Sequence, residues 1–481
     1  MKSIPVKSLM PACFAIVALA GNAKVELPDI ISSNAVLQQN SDAKLWGWAK
    51  PGSTVDINPS WSSESFKAKA DKGNGKWEIK LPTPEASFTP YCITFNDGDG
   101  DGEVKIDNIL MGEVWFCSGQ SNMEMPLRGY GVQPIEGAGE AIAYASKYPG
   151  IRMANIPKKA SYSPQDKVEG KWKTSNPADA AEFSALAYFF ARSLSDILNV
   201  PIGIINCAYG GSKVEGWIPK WKLDTYPEWD MDSEENKEMG EWERIGVMYN
   251  AMLKPVIGYT VKGFLWNQGE SNVGRHHEYP QHQKDMVEIW RDEWQLGQLP
   301  FYFVELPGWE YSNPDGDDAA KFRECQHKAA EILPNSGIVC TSDLVYPFEL
   351  KDIHARKKKE IGERLAFMAG ARTYGINGLP HQFPSFKSVD LQGDKAVLTF
   401  NNAVGGLNPN IDLPGFEVAG EDKVFYPAQA SEDWNWPFTV TVSSDKVKDI
   451  KSVRYCFKNF AIGQLKDMYG LPLIPFRTDD W

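Results

Sequence analysis

Apolar positions along this chain change their spacing twice. Between residues 24 and 107 they fall in short runs, such as Leu45-Trp46, Val55-Asp56-Ile57, Trp77-Glu78-Ile79 and Ile93-Thr94-Phe95. Turn residues separate the runs, among them Pro51-Gly52 and Gly73-Asn74-Gly75. Short β-prone segments punctuated in this way predict a small antiparallel β-sandwich. From Ile109 to about Gly375 continuous apolar runs alternate with stretches of helical period. Leu186, Phe189, Phe190, Leu194, Ile197 and Leu198 share one helix face, as do Met286, Ile289, Trp290 and Trp294, and again Ile361, Leu365 and Met368. Strands alternating with helices predict an α/β fold: a doubly wound parallel sheet with helices on both faces, whose ligands sit outside the carboxyl ends of the strands. Beyond about residue 380 the β texture returns, at 396–402, 437–444 and 452–457. The expected organisation is an N-terminal β-sandwich domain over 24–107, an α/β domain over 108–378 and a C-terminal β-rich region over 379–481.

The first 23 residues stand outside this scheme. Lys2 and Lys7 precede an apolar run from Leu9 to Ala20, and Gly21-Asn22-Ala23 supplies small residues for cleavage. That pattern predicts a secretory signal peptide and export to a periplasmic or extracellular space. No later segment is apolar for long enough to predict a membrane span. The net charge of −13 repels phosphate backbones and excludes nucleic acid as a partner. Six cysteines follow the signal, singly and with no CxxC, so buried free thiols are expected for most of them. The 17 tryptophans fit either β-sandwich cores or clefts that stack on sugar rings. An acidic run, Asp97 to Gly102, reads as a hairpin turn rather than a calcium loop, because Lys105 and Asn108 occupy positions that a calcium loop gives to ligands.

The chemistry gathers where predicted strands end. The first ends in Ser118-Gly119-Gln120-Ser121-Asn122, a turn that can hold a serine beside free backbone N–H groups. The second ends in Gly210-Gly211-Ser212, where glycines let the backbone approach a ligand. The third ends in Asn267-Gln268-Gly269-Glu270-Ser271-Asn272, five polar side chains too costly to bury unless they line a site. A serine hydrolase needs a base. His276 and His277 read as solvated; with His282 their spacing matches no familiar metal site. His327 reads as a helix-surface residue, and His381 lies in a Pro-rich boundary. His354 differs, because Asp352 stands two residues before it in an extended loop and can project to the same side.

Taken in order, 112–127 (GEVWFCSGQSNMEMPL), 210–219 (GGSKVEGWIP), 249–272 (YNAMLKPVIGYTVKGFLWNQGESN) and 352–366 (DIHARKKKEIGERLA) resemble the sialate O-acetylesterase family within the SGNH-type hydrolases. The tail segments 415–428 and 470–481 resemble it too. The resemblance implies an SGNH-hydrolase-like sheet flanked by β-sandwich-type terminal regions, with Ser121 as nucleophile and His354 as general base. It implies an oxyanion hole made by the N–H of Ser121, the N–H of Gly211 and an amide of the third block. Where the family commonly has Tyr this chain has Asn267, which assigns the amide to Gln268 and leaves Asn267 to shape the pocket. The spacing D-x-H rather than DxxH leaves Asp352 and Glu270 as rival acids behind His354. The expected substrate is an O-acetylated sialic acid, whose carboxylate would want an Arg; Arg128 and Arg356 are the candidates. Acetylated xylan or another acetylated glycan is the alternative, and a non-catalytic carbohydrate-binding protein the alternative of another class. No metal or organic cofactor is expected.

Overall fold

A computed structural model describes residues 24–98, 103–409, 413–433 and 438–481. Residues 1–23, the expected signal peptide, and residues 99–102 of the expected acidic turn lie outside the described residues. At the centre is a sheet whose neighbouring strands are, in order, Ser336–Val339, Phe301–Val304, Gly263–Asn267, Val104–Gly119, Ile202–Ala208, Ile151–Asn155 and Trp172–Thr174. All pair in parallel except the last, which runs antiparallel at the edge. The sheet is therefore mixed rather than wholly parallel. Along Val104–Gly119 successive side chains face opposite ways. Trp115 and Cys117 meet the helices Ala185–Leu198 and Lys358–Arg372, while Phe116 meets Tyr279–Trp294 on the other face. Apolar residues at helical period on each of these helices supply the two covering layers, as the sequence pattern predicts.

The boundary expected at 107/108 falls inside one strand. Val104–Gly119 pairs antiparallel with Ser87–Asn96 (Ile93 opposite Ile106) and parallel with Val36–Gln38 (Val36 opposite Leu110), then continues into the central sheet. Glu113, buried at this junction, accepts from Gln38 Nε2 at 3.0 Å, Gln39 Nε2 at 2.6 Å and the Tyr374 hydroxyl at 2.9 Å. The N-terminal β region and the α/β body share a continuous backbone ladder and a satisfied buried carboxylate, which ties their stabilities together.

The C-terminal region forms two four-stranded antiparallel sheets around its own core of Leu398, Val418, Val440, Val442, Val453 and Tyr455. It is pinned to the α/β body by polar contacts. Arg454 reaches Asp317 at 3.4 Å, Arg477 reaches Glu324 at 3.0 Å, and Lys466 reaches Asp343 at 2.7 Å. Asn459 Oδ1 accepts from Ala319 N at 2.8 Å at the start of the helix Asp318–Ile332. No disulfide forms among the described residues; Cys92 is half-buried and the other five thiols are buried.

Candidate active site

Three strand ends meet where the chain reverses its direction of travel across the sheet. Val104–Gly119 lies between Ile202–Ala208 and Gly263–Asn267, and such a switch point opens a crevice at the carboxyl ends. Gly119 has φ +137°, and a Cβ there would lie 2.0 Å from Asn267 O. Only glycine allows the turn that follows. Gln120 N donates to Asn267 O at 3.0 Å, and Ser121 then opens the short helix Ser121–Glu124, half-buried. Gly210 packs against Ser121 and donates its N–H to Glu124 Oε2 at 2.6 Å. Gly211 follows with φ +80°, its carbonyl accepting from Ser271 Oγ at 2.8 Å.

The polar groups at this junction divide into committed and uncommitted. Gln268 donates both Nε2 hydrogens, to Ser212 O at 3.1 Å and Asn272 Oδ1 at 2.7 Å, and its Oε1 accepts from the Tyr279 hydroxyl at 2.9 Å. An amide with every hydrogen committed inside the fold has none for an incoming oxyanion. Asn267 Nδ2, by contrast, is buried with no partner among the described residues. The N–H groups of Ser121 and Gly211 likewise donate to nothing among the described residues. The free amide of the third block is that of Asn267, not the expected Gln268.

His354 is brought to the same place from far along the chain, since Asn122 Nδ2 donates to Ile353 O, 231 residues apart, at 3.0 Å. Behind the imidazole stands a residue that belongs to none of the motif blocks. His354 Nδ1 lies 2.9 Å from Gln133 Oε1, and Gln133 Nε2 lies 2.6 Å from Asp352 Oδ1. Asp352 accepts only, so the Gln133 amide points its NH₂ at Asp352 and its oxygen at His354. That oxygen also accepts only, which places the imidazole proton on Nδ1 and the lone pair on Nε2. Asp352 Oδ1 further accepts from His354 N at 3.2 Å. The carboxylate thus holds the backbone and the intervening amide, and no direct bond to the ring is present among the described residues. Tyr130, three residues before Gln133, packs edge-on against the imidazole with ring centres 5.4 Å apart. Burial, then the Lys358 charge, hold the His354 pKa down at about 4, against the opposing pull of Asp352 and Glu124.

Glu270, the rival acid, faces elsewhere. It is buried, accepts from Asn122 Nδ2 through Oε1, and leaves Oε2 without a hydrogen-bond partner among the described residues. Asn122 Oδ1 in turn accepts from the buried Lys358 Nζ. The residue after Ser121 therefore bridges a buried carboxylate and a buried ammonium. Burial raises the Glu270 pKa and lowers that of Lys358 to about 8. Glu349, also buried, accepts from Tyr346 N at 2.7 Å and Arg356 N at 3.2 Å, wrapping the loop that carries Asp352 and His354 around one carboxylate.

Both candidate arginines are occupied. Arg128 binds Glu182 at 2.7 Å, and Arg356 lies 3.3 Å from Glu349 and 3.6 Å from Asp352 with its guanidinium over Phe348. One histidine is placed differently from expectation. His327 is not simply a surface residue, because its Nε2 lies 2.6 Å from the buried Glu305 Oε2. His282 is 2 % exposed, packed on Tyr226 and Trp229, 3.6 Å from Glu215. Gln133 and Tyr130 carry no motif signal, whereas Asn122 and Lys358 lie inside the motif blocks and could have been suspected from their polarity.

With this geometry in view, comparison with known proteins adds the following. Residues 111–369 match the family described as carbohydrate esterase, sialic acid-specific acetylesterase. Human sialate O-acetylesterase is 27% identical over 412 residues, 76% of this chain and 75% of its own length; the mouse protein is 26% identical over 426 residues, 76% and 77%. A crystal structure of a carbohydrate acetylesterase from Xanthomonas citri superposes with a TM-score of 0.83 at 32% identity, covering 95% of this chain and 100% of that one.

Proposed function

Because the chain belongs to the sialic acid-specific acetylesterase family of carbohydrate esterases, we propose that it releases acetate from O-acetylated sugars through an acyl-enzyme on Ser121. The observation that carries this reading is the set of three uncommitted donors beside Ser121, its own N–H, the N–H of Gly211 and Asn267 Nδ2, in a junction where the neighbouring amide is fully bonded. Buried polar groups are satisfied in the great majority of cases, and the buried Asn267 Nδ2, which is not, is arranged for something that arrives.

His354 Nε2 takes the proton of Ser121 Oγ as that oxygen attacks the acetyl carbon. The carbonyl oxygen becomes an oxyanion held by the three donors, each worth roughly 3 kcal/mol of barrier. The bond from the acetyl carbon to the sugar oxygen then breaks, and His354 returns its proton to that oxygen. Water attacks the acetyl-serine, giving a proton to His354, and acetate leaves as Oγ is reprotonated. Gln133 is the positioning residue that fixes the imidazole tautomer, and Asp352 acts through it. Assigning the third donor to Asn267 replaces the expectation for Gln268.

On substrate, the relatives named sialate O-acetylesterases support O-acetylated sialic acids. A second reading, an acetylated neutral glycan such as xylan, is favoured by one observation: Arg128 and Arg356 each already face a carboxylate of the protein itself. Export by the segment 1–23 belongs to the same proposal. The test is acetate release from O-acetylated sialic acid and from acetylated xylan, by the native chain and by Ser121→Ala. Release by the native chain that Ser121→Ala abolishes is the expected result; equal rates in both proteins sink the mechanism, and no release at all leaves a binding protein.

A further inference from the structure

Of the 17 tryptophans, Trp77, Trp115, Trp217, Trp266 and Trp290 lie fully inside cores. Trp242 does not: it is 48% exposed and sits beside the candidate oxyanion hole. A Cβ on Gly211 would lie 2.8 Å from Trp242 Cδ1 and 3.3 Å from Cγ, so the pyrrole end of the indole rests on the Gly211 α-carbon. A Cβ on Gly240 would lie 2.7 Å from Cζ2 and 2.8 Å from Cη2, which braces the opposite end. The turn itself is closed by Glu243 N donating to Gly240 O at 2.8 Å and by Arg244 Nε donating to Met239 O at 2.9 Å. The segment leading to it is anchored by the buried Asn236, which donates to Met231 O at 2.8 Å and accepts from Ile245 N at 3.1 Å. An indole wedged at both ends cannot fold away from water. Covering it recovers hydrophobic free energy with little ordering cost, because the ring is already fixed.

The surroundings select what covers it. Glu241 and Glu243 flank the ring in sequence, and Glu241 Oε2 lies 3.4 Å from the Tyr209 hydroxyl. The nearby Lys158 is engaged by Glu124 at 2.8 Å and stands over the Tyr209 ring. A carboxylate and a phenol beside an aromatic plate disfavour an anionic ring and accept hydrogen bonds from hydroxyl groups. A neutral pyranose offers both the C–H face and the hydroxyls. We propose that Trp242, with Tyr209 and Glu241, forms a subsite for a neutral pyranose adjoining the acetylated sugar, so that the substrate is an acetylated oligosaccharide rather than a free monosaccharide. This rests on the reading of Ser121 and Gly211 as an esterase site.

The test uses the full chain, Trp242→Ala and Trp242→Phe. Calorimetric titration with unacetylated xylotetraose is expected to show saturable binding that weakens about tenfold or more in W242A and stays within about threefold in W242F, because the stacking face survives in Phe. Acetate release is compared between acetylated xylotetraose and para-nitrophenyl acetate; the ratio of their kcat/KM values is expected to fall about tenfold in W242A, through KM of the oligosaccharide. An equal loss on both esters means that Trp242 only braces Gly211, and overturns the subsite. So does unchanged tetraose binding in W242A, or no binding by the native chain to xylo-, cello- or mannotetraose. Trp242-dependent binding with no ester hydrolysis by the native chain would instead uphold the subsite and overturn the esterase reading.

Discussion

Two adjacent amides at the end of one strand make opposite use of their hydrogen bonds. Gln268 is bonded at every position, to Ser212, Asn272 and Tyr279, and Asn272 passes the network on to the buried Glu215. Asn267, one residue earlier, leaves its Nδ2 buried and alone. The first arrangement belongs to a floor that holds its shape, and the second, in the proposed mechanism, to a surface prepared for a reacting oxygen. In a buried junction the unsatisfied donor, rather than the polar residue as such, marks where chemistry is to be expected.

The sharpest break of this comparison is Ser121→Ala, expected to lower kcat on any acetate ester by about 10⁴-fold or more, with folding intact by circular dichroism. Asn267→Ala is next. It should cost about 10²- to 10³-fold in kcat, the loss of one oxyanion donor, at nearly unchanged urea midpoint. Gln268→Ala should do the reverse, lowering unfolding free energy by about 1–3 kcal/mol for each buried partner it strands. If Gln268→Ala lost activity without stability and Asn267→Ala did the opposite, the two roles would have to be exchanged.

The base can be tested in the same spirit. Gln133→Ala leaves the Nδ1 proton without an acceptor, and a loss of about 10- to 100-fold in kcat is expected from the 1–3 kcal/mol of an unpaired buried group. Asp352→Ala should fall in the same range and add little to Gln133→Ala in the double variant, since one acts through the other. Full additivity would show that Asp352 reaches His354 by another route.

The smallest effect is on pH. With its pKa held at about 4, below the ordinary 6.5, His354 is neutral and competent as a base above that value. The acid limb of kcat/KM should therefore lie near pH 4. Lys358→Met removes a positive charge that disfavours the imidazolium, so the limb should move upward. For stability the sign is the same. The unfolded chain binds the His354 proton below about 6.5 and the folded chain only below about 4, so this group makes stability rise with pH across that window.

Much of the scaffold was legible because periodicity is a local property. The strand ending at Gly119, the helix faces of Leu186, Phe190 and Leu194 and of Ile361 and Leu365, and the glycine turn at Gly211 each follow from neighbours a few residues apart. The boundary at 107/108 was not legible, because a strand that serves two sheets carries a single β pattern across the join. The site divides the same way. Ser121, Gly211 and His354 stand in motif blocks that the chain alone displays. Gln133 reaches His354 across 221 residues and carries no motif.

The residues that end the strands, and the polar groups that stand beside them, are written in the order of amino acids. How those groups pair follows from the fold: among the described residues Asn267 Nδ2 is free and Gln268 bonded, Asp352 is one amide removed from His354, Glu270 is joined to Lys358 through Asn122, and Trp242 is laid against Gly211. The physical reason is range. Hydrophobic period is read over one turn of chain, whereas a hydrogen bond depends on ångström-scale distances between segments that meet only after the core has closed.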